Sequence, residues 1–405
     1  MTIVFFYPSK NIGGVQTLFL RLGEALKDSF DIVYVDVENG FYSNSGVQSF
    51  ARIVKYEGQF DSSEYSDPVI VTPPSEIIKA KNYFSGNEKV FFWHVHPYNT
   101  ISTFPGFNFF NKLSKRTIKL LVKTLLLSQH RSLKKTFGKA LDANALMFMD
   151  GTNKDSFHYF FDKCDSAGLL PIPVECSATF EKSQCPNRPE KEILVWVGRV
   201  EHFKSPILDY ILNKFLVSSL DKNHEFHIVG DGQDLERFKS MYSHNTSIKF
   251  IGSLQPAELQ QLLESDIKLS FCMGTSALEC AKAGIPSVLV DAFYTAVPDN
   301  YKFKWLYESK NFSLGEVLSS KPVDNECGRE LHALLEEVEN NDNFVAKQCF
   351  DYVAQNHNIE VVKKRLVNGL RNSNLYIEDI GRIESTMIYR LYGCLRDRAQ
   401  ILTKK

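Results

Sequence analysis

The sequence predicts an α/β protein made of two tandem doubly wound domains and a helical tail. Three observations carry this. Short continuous apolar runs, as buried parallel strands require, recur through the first 290 residues. Segments with helical periodicity alternate with them, the pattern of a doubly wound parallel sheet. Between an earlier and a later series lies Leu169-Leu170-Pro171-Ile172-Pro173-Val174, followed by polar residues 175–191 without periodicity. Two prolines in an extended segment make a stiff linker. The expected division is a first Rossmann-like domain over 1–172, a second over 173–375, and a tail over 376–405 that crosses back to the first. With 405 residues the chain is long enough for two or three substantial cores.

In the first series, Ile3 to Tyr7 is the opening strand. Val15, Leu18, Phe19, Leu22, Ala25 and Leu26 then repeat at helical spacing. Gly13-Gly14 lies between them, where a ligand phosphate or sugar can approach the backbone. It is not the G-x-G-x-x-G dinucleotide fingerprint, and a plain turn competes with a binding role. Further strands are expected at 32–35, 69–72, 90–95 and 145–149. The run at 90–95 leads into Trp93-His94-Val95-His96-Pro97. The two histidines are read as pointing apart, which disfavours a metal site. One of them can face the crevice outside the strand ends, where open α/β sheets bind ligands; the other reading is a core histidine and a loop histidine.

From Lys89 to Leu141 there is no acidic residue. Lys112, Lys115, Arg116, Lys119, Lys123, Arg131, Lys134, Lys135 and Lys139 interleave there with apolar side chains. Over 111–139 this reads either as a basic amphipathic surface for anionic lipid or as a solvated face packed on the protein. A net charge of −1 gives no global pull toward nucleic acid, and no RNA-binding pattern accompanies the charges.

In the second series, Ile193 to Val197 is a strand that ends in Gly198-Arg199. Lys204 follows, then a helix with Ser205 as N-cap and Pro206 at its first position. Phe226 to Val229 ends in Gly230-Asp231-Gly232. After strands at 248–252 and 267–272 comes the turn Met273-Gly274-Thr275-Ser276 and a short helix over 277–283. Glycine lets a ligand come close to the backbone, Thr275 or Ser276 can cap the helix, and the first turn offers N–H groups to an anion. Glu279 stands one turn in. An ordinary βαβ turn is the competing reading. Beyond Arg329 the chain is mainly helical.

None of the eight cysteines forms a C-x-x-C pair, so reduced thiols in a cytosolic protein are expected, with neither a disulfide framework nor a zinc site. The apolar start, MTIVFFYPSK, lacks a basic n-region and a cleavage site and reads as a strand. No run of about 20 apolar residues is present to span a membrane.

Five segments in register resemble the GT-B class of glycosyltransferases, and among them the retaining, nucleotide-sugar-dependent family 4. They are Gly13-Gly14-Val15, Val197-Gly198-Arg199 with Lys204, Val229-Gly230-Asp231-Gly232, Phe250-Ile251-Gly252 with Leu259, and the run Ala277-Leu278-Glu279-Cys280-Ala281-Lys282-Ala283-Gly284-Ile285-Pro286. The resemblance implies a GT-B architecture, two Rossmann-like domains facing a cleft. It implies a metal-independent hexosyl transfer from a UDP- or GDP-linked sugar to a glycan or lipid-linked acceptor, in cell-surface polysaccharide or lipopolysaccharide synthesis. No cofactor other than the donor is called for, and no nucleic acid. Arg199, Lys204, His94 and His96 are the expected catalytic set. Gly13, Gly14, Gly198, Gly230, Gly274, Thr275, Ser276 and Glu279 are the expected donor-binding set, with Glu279 on the ribose. The family carries a further glutamate eight positions earlier, on the donor sugar, where this chain has Phe271. A nucleotide-sugar epimerase and a catalytically degenerate binding protein are the alternatives on the same fold. The expected location is cytoplasmic, peripheral on the inner face of the cytoplasmic membrane.

Overall fold

The structure, a computed structural model, describes residues 1–9, 13–97, 99, 101–104, 114–162, 164, 166–177, 179–180, 191–318, 328–381 and 383. The chain divides into two compact units. One joins Met1–Pro173 to the chain from Ile359 onward; the other is Val174–Asn358.

The first unit is built on six parallel strands: β1 (Thr2–Phe6), β2 (Asp31–Asp36), β3 (Arg52–Lys55), β4 (Pro68–Thr72), β5 (Lys89–His94) and β6 (Leu146–Phe148). Their order is β3-β2-β1-β4-β5-β6. Apolar side chains cover both faces, which is why these strands read as continuous apolar runs. Val4 and Phe6 enter one core with Ile70 and Phe92; Ile3 and Phe5 enter the other with Val69, Phe91 and Trp93. Helix α1 (Gly14–Leu26) buries Leu18, Phe19, Leu22 and Leu26, the stripe its periodicity marks. Helices α2 (Ile77–Tyr83), α3 (Lys115–Thr124), α4 (Leu127–Asp142) and α5 (Gly151–Phe161) complete this part. Strand β3 escaped the sequence reading. It is an edge strand, Arg-Ile-Val-Lys, too short and too charged to show a pattern.

The second unit has a sheet in the order β13-β11-β10-β7-β8-β9. Its strands are β7 (Glu192–Val197), β8 (His224–Val229), β9 (Ile248–Gly252), β10 (Ile267–Cys272), β11 (Ser287–Leu289) and β13 (Lys304–Trp305). All pairs are parallel except β11 with β13. Strands β12 (Ala292–Phe293) and β14 (Val317–Leu318) form a separate parallel pair. Helices α6 (Ser205–Val217), α7 (Leu235–Tyr242), α8 (Pro256–Leu263), α9 (Thr275–Lys282) and α10 (Leu331–Asn356) pack around the main sheet. The core gathers Leu194, Trp196, Phe226, Phe271 and Trp305.

Helix α11 (Ile359–Asn372) belongs to the first unit, where Val362, Leu366 and Leu370 share a core with Phe19 and Trp93. The chain therefore re-enters that unit at Ile359, earlier than the expected 376. Lys363 Nζ ties α11 to the Ala25 carbonyl of α1 at 3.2 Å. Beyond it, Leu375, Ile377 and Ile380 fill the opposite core. The helix expected in the tail lies outside the described residues.

Candidate functional site

Strands β7 and β10 run side by side, with Val197 registered on Cys272. Their carboxyl ends therefore deliver Gly198 and the Met273-Gly274 turn next to each other. Gly230 N donates to Gly252 O at 2.8 Å, and Gly198 N donates to Val229 O at 3.0 Å, so the ends of β8 and β9 join the same crest.

Lys204 is the N-cap residue of α6, one position before the serine expected there. Ser205 instead donates its hydroxyl to Glu201 O at 3.0 Å and to Asp234 Oδ2 at 2.6 Å. The Lys204 ammonium folds back over the strand end and lies 3.5 Å from where a Cβ on Gly198 would stand. It is half-buried, and no carboxylate among the described residues pairs with it. Burial lowers its pKa and the neighbouring Arg199 lowers it further, against smaller opposing effects of Glu201 and Cys272. A half-buried cation without a counter-ion is costly, and a bound anion removes that cost.

The facing element is the start of α9. Gly274 is its N-cap, at φ 64° and ψ −142°, a conformation in which a side chain is strained. No side chain caps this helix: Thr275 and Ser276 are its first two residues, not caps. The Gly274 amide is taken by Leu314 O at 2.7 Å. The amides of Thr275 and Ser276 have no acceptor among the described residues, so they and the helix dipole remain available to an anion. Glu279, one turn in, is bound by Lys282 at 2.6 Å and keeps its side chain 22% exposed.

Several expected residues take other roles. Arg199 is exposed and ion-paired with Glu201 at 2.6 Å, whereas Lys204 has no carboxylate partner among the described residues. A Cβ on Gly230 would stand 2.2 Å from the Gly198 carbonyl. At this position glycine serves the packing of backbone on backbone. Phe271 lies inside β10, fully buried between Phe226 and Phe303 with ring centroids 5.8 Å from each. A carboxylate there would be buried in an aromatic core, and only Met273-Gly274 links β10 to α9. That two-residue turn carries no acid.

In the first unit, His94 is wholly buried at the end of β5, packed on Phe148 and Phe157, with Nδ1 3.3 Å from Asn153 Oδ1. Burial pushes its pKa down to about 3, so it is neutral, and its ring faces no solvent. Strand alternation alone would place residues 94 and 96 on one face. They part because β5 ends at His94 and Asn99 Oδ1 bends the chain, accepting from Val95 N at 2.9 Å and His96 N at 2.8 Å. His96 reaches solvent, although surrounding chain desolvates it enough to lower its pKa. Gly13 and Gly14 are both exposed at the start of α1, and a Cβ on Gly14 would meet nothing within 4 Å.

No protein-family model matches the chain. The GalNAc-alpha-(1->4)-GalNAc-alpha-(1->3)-diNAcBac-PP-undecaprenol alpha-1,4-N-acetyl-D-galactosaminyltransferase of Campylobacter jejuni subsp. jejuni serotype O:2 is 27% identical over 190 residues, 44% of this chain. That match spans about half of the relative, 49% of its length. The lipopolysaccharide outer core galactosyltransferase WaaB, in its apo form, superposes with a TM-score of 0.56 at 11% identity, over 92% of this chain and 99% of that one. Anabaena HepE in complex with UDP and glucose superposes with a TM-score of 0.55 at 11% identity, over the same shares. The chain has the GT-B fold.

On this GT-B chain the basic stretch divides by what its side chains touch. Asp162 gathers Lys119, Lys123 and Lys134 at 3.9, 3.8 and 3.2 Å. Lys139 donates to the Asp379 carbonyl at 2.8 Å. Lys112 lies outside the described residues. Lys115, Arg116, Arg131 and Lys135 are exposed and without a counter-ion among the described residues. Leu120, Leu125 and Leu127, at the α3–α4 corner, are 64%, 58% and 36% exposed. Among the described residues no helix is long and apolar enough to cross a membrane. Sequence reasoning missed Leu314-Gly315, which holds the Gly274 turn; a lone glycine was its only signal, and Gly315 adopts φ 104° with a Cβ position 2.6 Å from Val290 O.

Proposed function

We propose that the protein is a glycosyltransferase that moves a sugar from a nucleoside diphosphate donor to a glycan or lipid-linked acceptor of cell-surface polysaccharide. The observation that carries this is that the Lys204 ammonium, with no carboxylate partner among the described residues, lies at the end of β7, next to the strand β10 that leads into the open amides of Thr275 and Ser276. Breaking the bond from the anomeric carbon to the β-phosphate oxygen leaves negative charge on the diphosphate. A fixed cation and a helix terminus aimed at that charge stabilise it without a metal ion. Glu279 accepts from the ribose hydroxyls. The first unit is assigned the acceptor side, with Gly13, Gly14 and His96. The acceptor hydroxyl attacks on the face the diphosphate leaves, with retention, and its proton passes to the departing phosphate. UDP is the favoured nucleotide, since HepE is described with UDP, and the Campylobacter relative's name describes an undecaprenol-linked glycan.

The same reading places the protein on the cytoplasmic face of a membrane. Lys115, Arg116, Arg131 and Lys135 meet anionic head groups at about 1 kcal/mol each, while Leu120, Leu125 and Leu127 reach the acyl boundary.

Release of UDP or GDP from a panel of nucleotide sugars, with and without a lipid extract as acceptor, tests the activity. Release that needs the extract, is lost in Lys204→Ala and survives chelation supports the proposal. Conversion of the donor sugar without any acceptor would instead indicate an epimerase. Binding without turnover would indicate a binding protein, the reading that Phe271 favours.

A further inference from the structure

A second concavity lies on the flank of the second unit, along the outer face of α6. It is a groove of about 740 Å³ that follows one stripe of the helix from Pro206 to Val217, a length of roughly 16 Å at 1.5 Å per residue. Asp234 and Arg237, at the start of α7, wall one side and the 294–299 loop walls the other. The nucleotide site makes no use of it.

The lining has the chemistry of sugar recognition. Tyr294 is 56% exposed, a large ring offered to solvent and set against His202 with centroids 5.4 Å apart. An exposed aromatic face fits the C–H face of a pyranose. Planar polar groups stand beside it for vicinal hydroxyls. Asp209 is held in place by Tyr242 Oη at 2.8 Å on Oδ1 and by Asn213 Nδ2 at 3.2 Å on Oδ2, which leaves each oxygen a further lone pair. Asp299 is exposed, and its carboxylate has no partner among the described residues. The charges nearly balance, with Asp209, Asp234 and Asp299 against Lys214 and Arg237. A phosphate or polyanion would find no net attraction there. One end of the groove is formed by His202 and Ser205, the neighbours of Lys204.

We propose that this groove binds a neutral saccharide chain of several units, holding it against the flank of the nucleotide-binding unit. The ligand class follows from the groove's own lining and goes beyond the donor assignment. Such a site retains a growing or polymeric glycan between turnovers and gives the protein a preference for longer chains.

The test is titration of the full-length protein with two length series, maltose to maltohexaose and chitobiose to chitohexaose, alongside UDP. Affinity for at least one series rises with length to about four units. Tyr294→Ala, at an exposed position, weakens the longest member about 10-fold, the size of a lost stacking contact with its buried area. Asp299→Asn weakens it as well, and UDP affinity stays unchanged in both variants. Lys204→Ala gives the reverse pattern. No binding of either series at millimolar concentration, no dependence on length, or wild-type affinity in both groove variants would overturn the proposal. Loss of UDP binding alone would count against the donor reading and leave the groove standing.

Discussion

The Lys204 ammonium stands 3.5 Å from the point where a side chain on Gly198 would begin. A Cβ there would touch the lysine at ordinary van der Waals distance, so the ammonium lies directly over this strand end. Two consequences follow for substitutions at the lysine. Lys204→Ala removes a charge-assisted contact to the diphosphate and weakens nucleoside diphosphate binding by about 10- to 100-fold. It also removes an uncompensated half-buried charge, so the melting temperature of the ligand-free variant is unchanged or raised. Calorimetric titration and thermal denaturation check the two separately.

The lysine has a pH signature. Its pKa in the folded protein lies below the usual lysine value, so between the two values the unfolded chain holds more protons than the native one. The stability of the ligand-free protein therefore rises with pH through that alkaline window. Other groups titrate in the same window, Lys81 and several buried tyrosines among them, so the lysine's share is read as the difference: denaturant titrations at successive pH values show stability rising more, or falling less, with pH in the wild type than in Lys204→Met.

His94 gives the opposite end of the pH scale. Its folded pKa of about 3 lies below the unfolded value near 6.5. The native state holds the ring neutral, so stability is full above about pH 6.5 and is lost as pH falls toward 3. His94→Gln flattens this acid limb at some cost in stability, and it leaves nucleotide binding at neutral pH intact. A catalytic histidine would instead move the activity profile with little effect on the acid limb.

The glycines separate packing from binding. Gly230→Ala drives a Cβ to 2.2 Å from the Gly198 carbonyl and forces backbone apart, so it destabilises the protein strongly in chemical denaturation. Gly274→Ala meets no atom within 4 Å but strains a positive φ, at a cost of about 1–3 kcal/mol. It tilts the first turn of α9 and weakens nucleotide binding beyond its effect on stability.

Much of this was legible in the residues. Buried parallel strands have to be apolar throughout, so β1, β2, β4, β5 and most of the second sheet appear as runs in the sequence. The elements proposed to hold the nucleotide stand out because glycine, lysine and helix start fall in order along two strands that prove adjacent. Other features depend on three-dimensional neighbours. Arg199 and Lys204 look alike in sequence, and only the Glu201 partner separates them. His94 and His96 differ through the bend that Asn99 imposes. The stripe Val362, Leu366 and Leu370 reads as a helix wherever it packs, so periodicity did not reveal that the return begins at Ile359. Strands β12 to β14 are two residues each, too short to carry a pattern.

Glu279 tests the ribose assignment. A carboxylate that accepts from both ribose hydroxyls makes the wild type prefer UDP over 2′-deoxy-UDP, by about 10-fold for a hydrogen bond to a charged group. In Glu279→Ala that preference disappears. Competition binding with the two nucleotides reads the difference directly.

The central claim is that Lys204 and the start of α9 form a diphosphate cradle. Titration of the full-length wild type and of Lys204→Ala with UDP, by calorimetry at neutral pH, tests it most directly. The wild type is expected to bind saturably and the variant at least about 10-fold more weakly. Equal affinity in the two proteins, or no binding of UDP or GDP by the wild type at millimolar concentration, would contradict it.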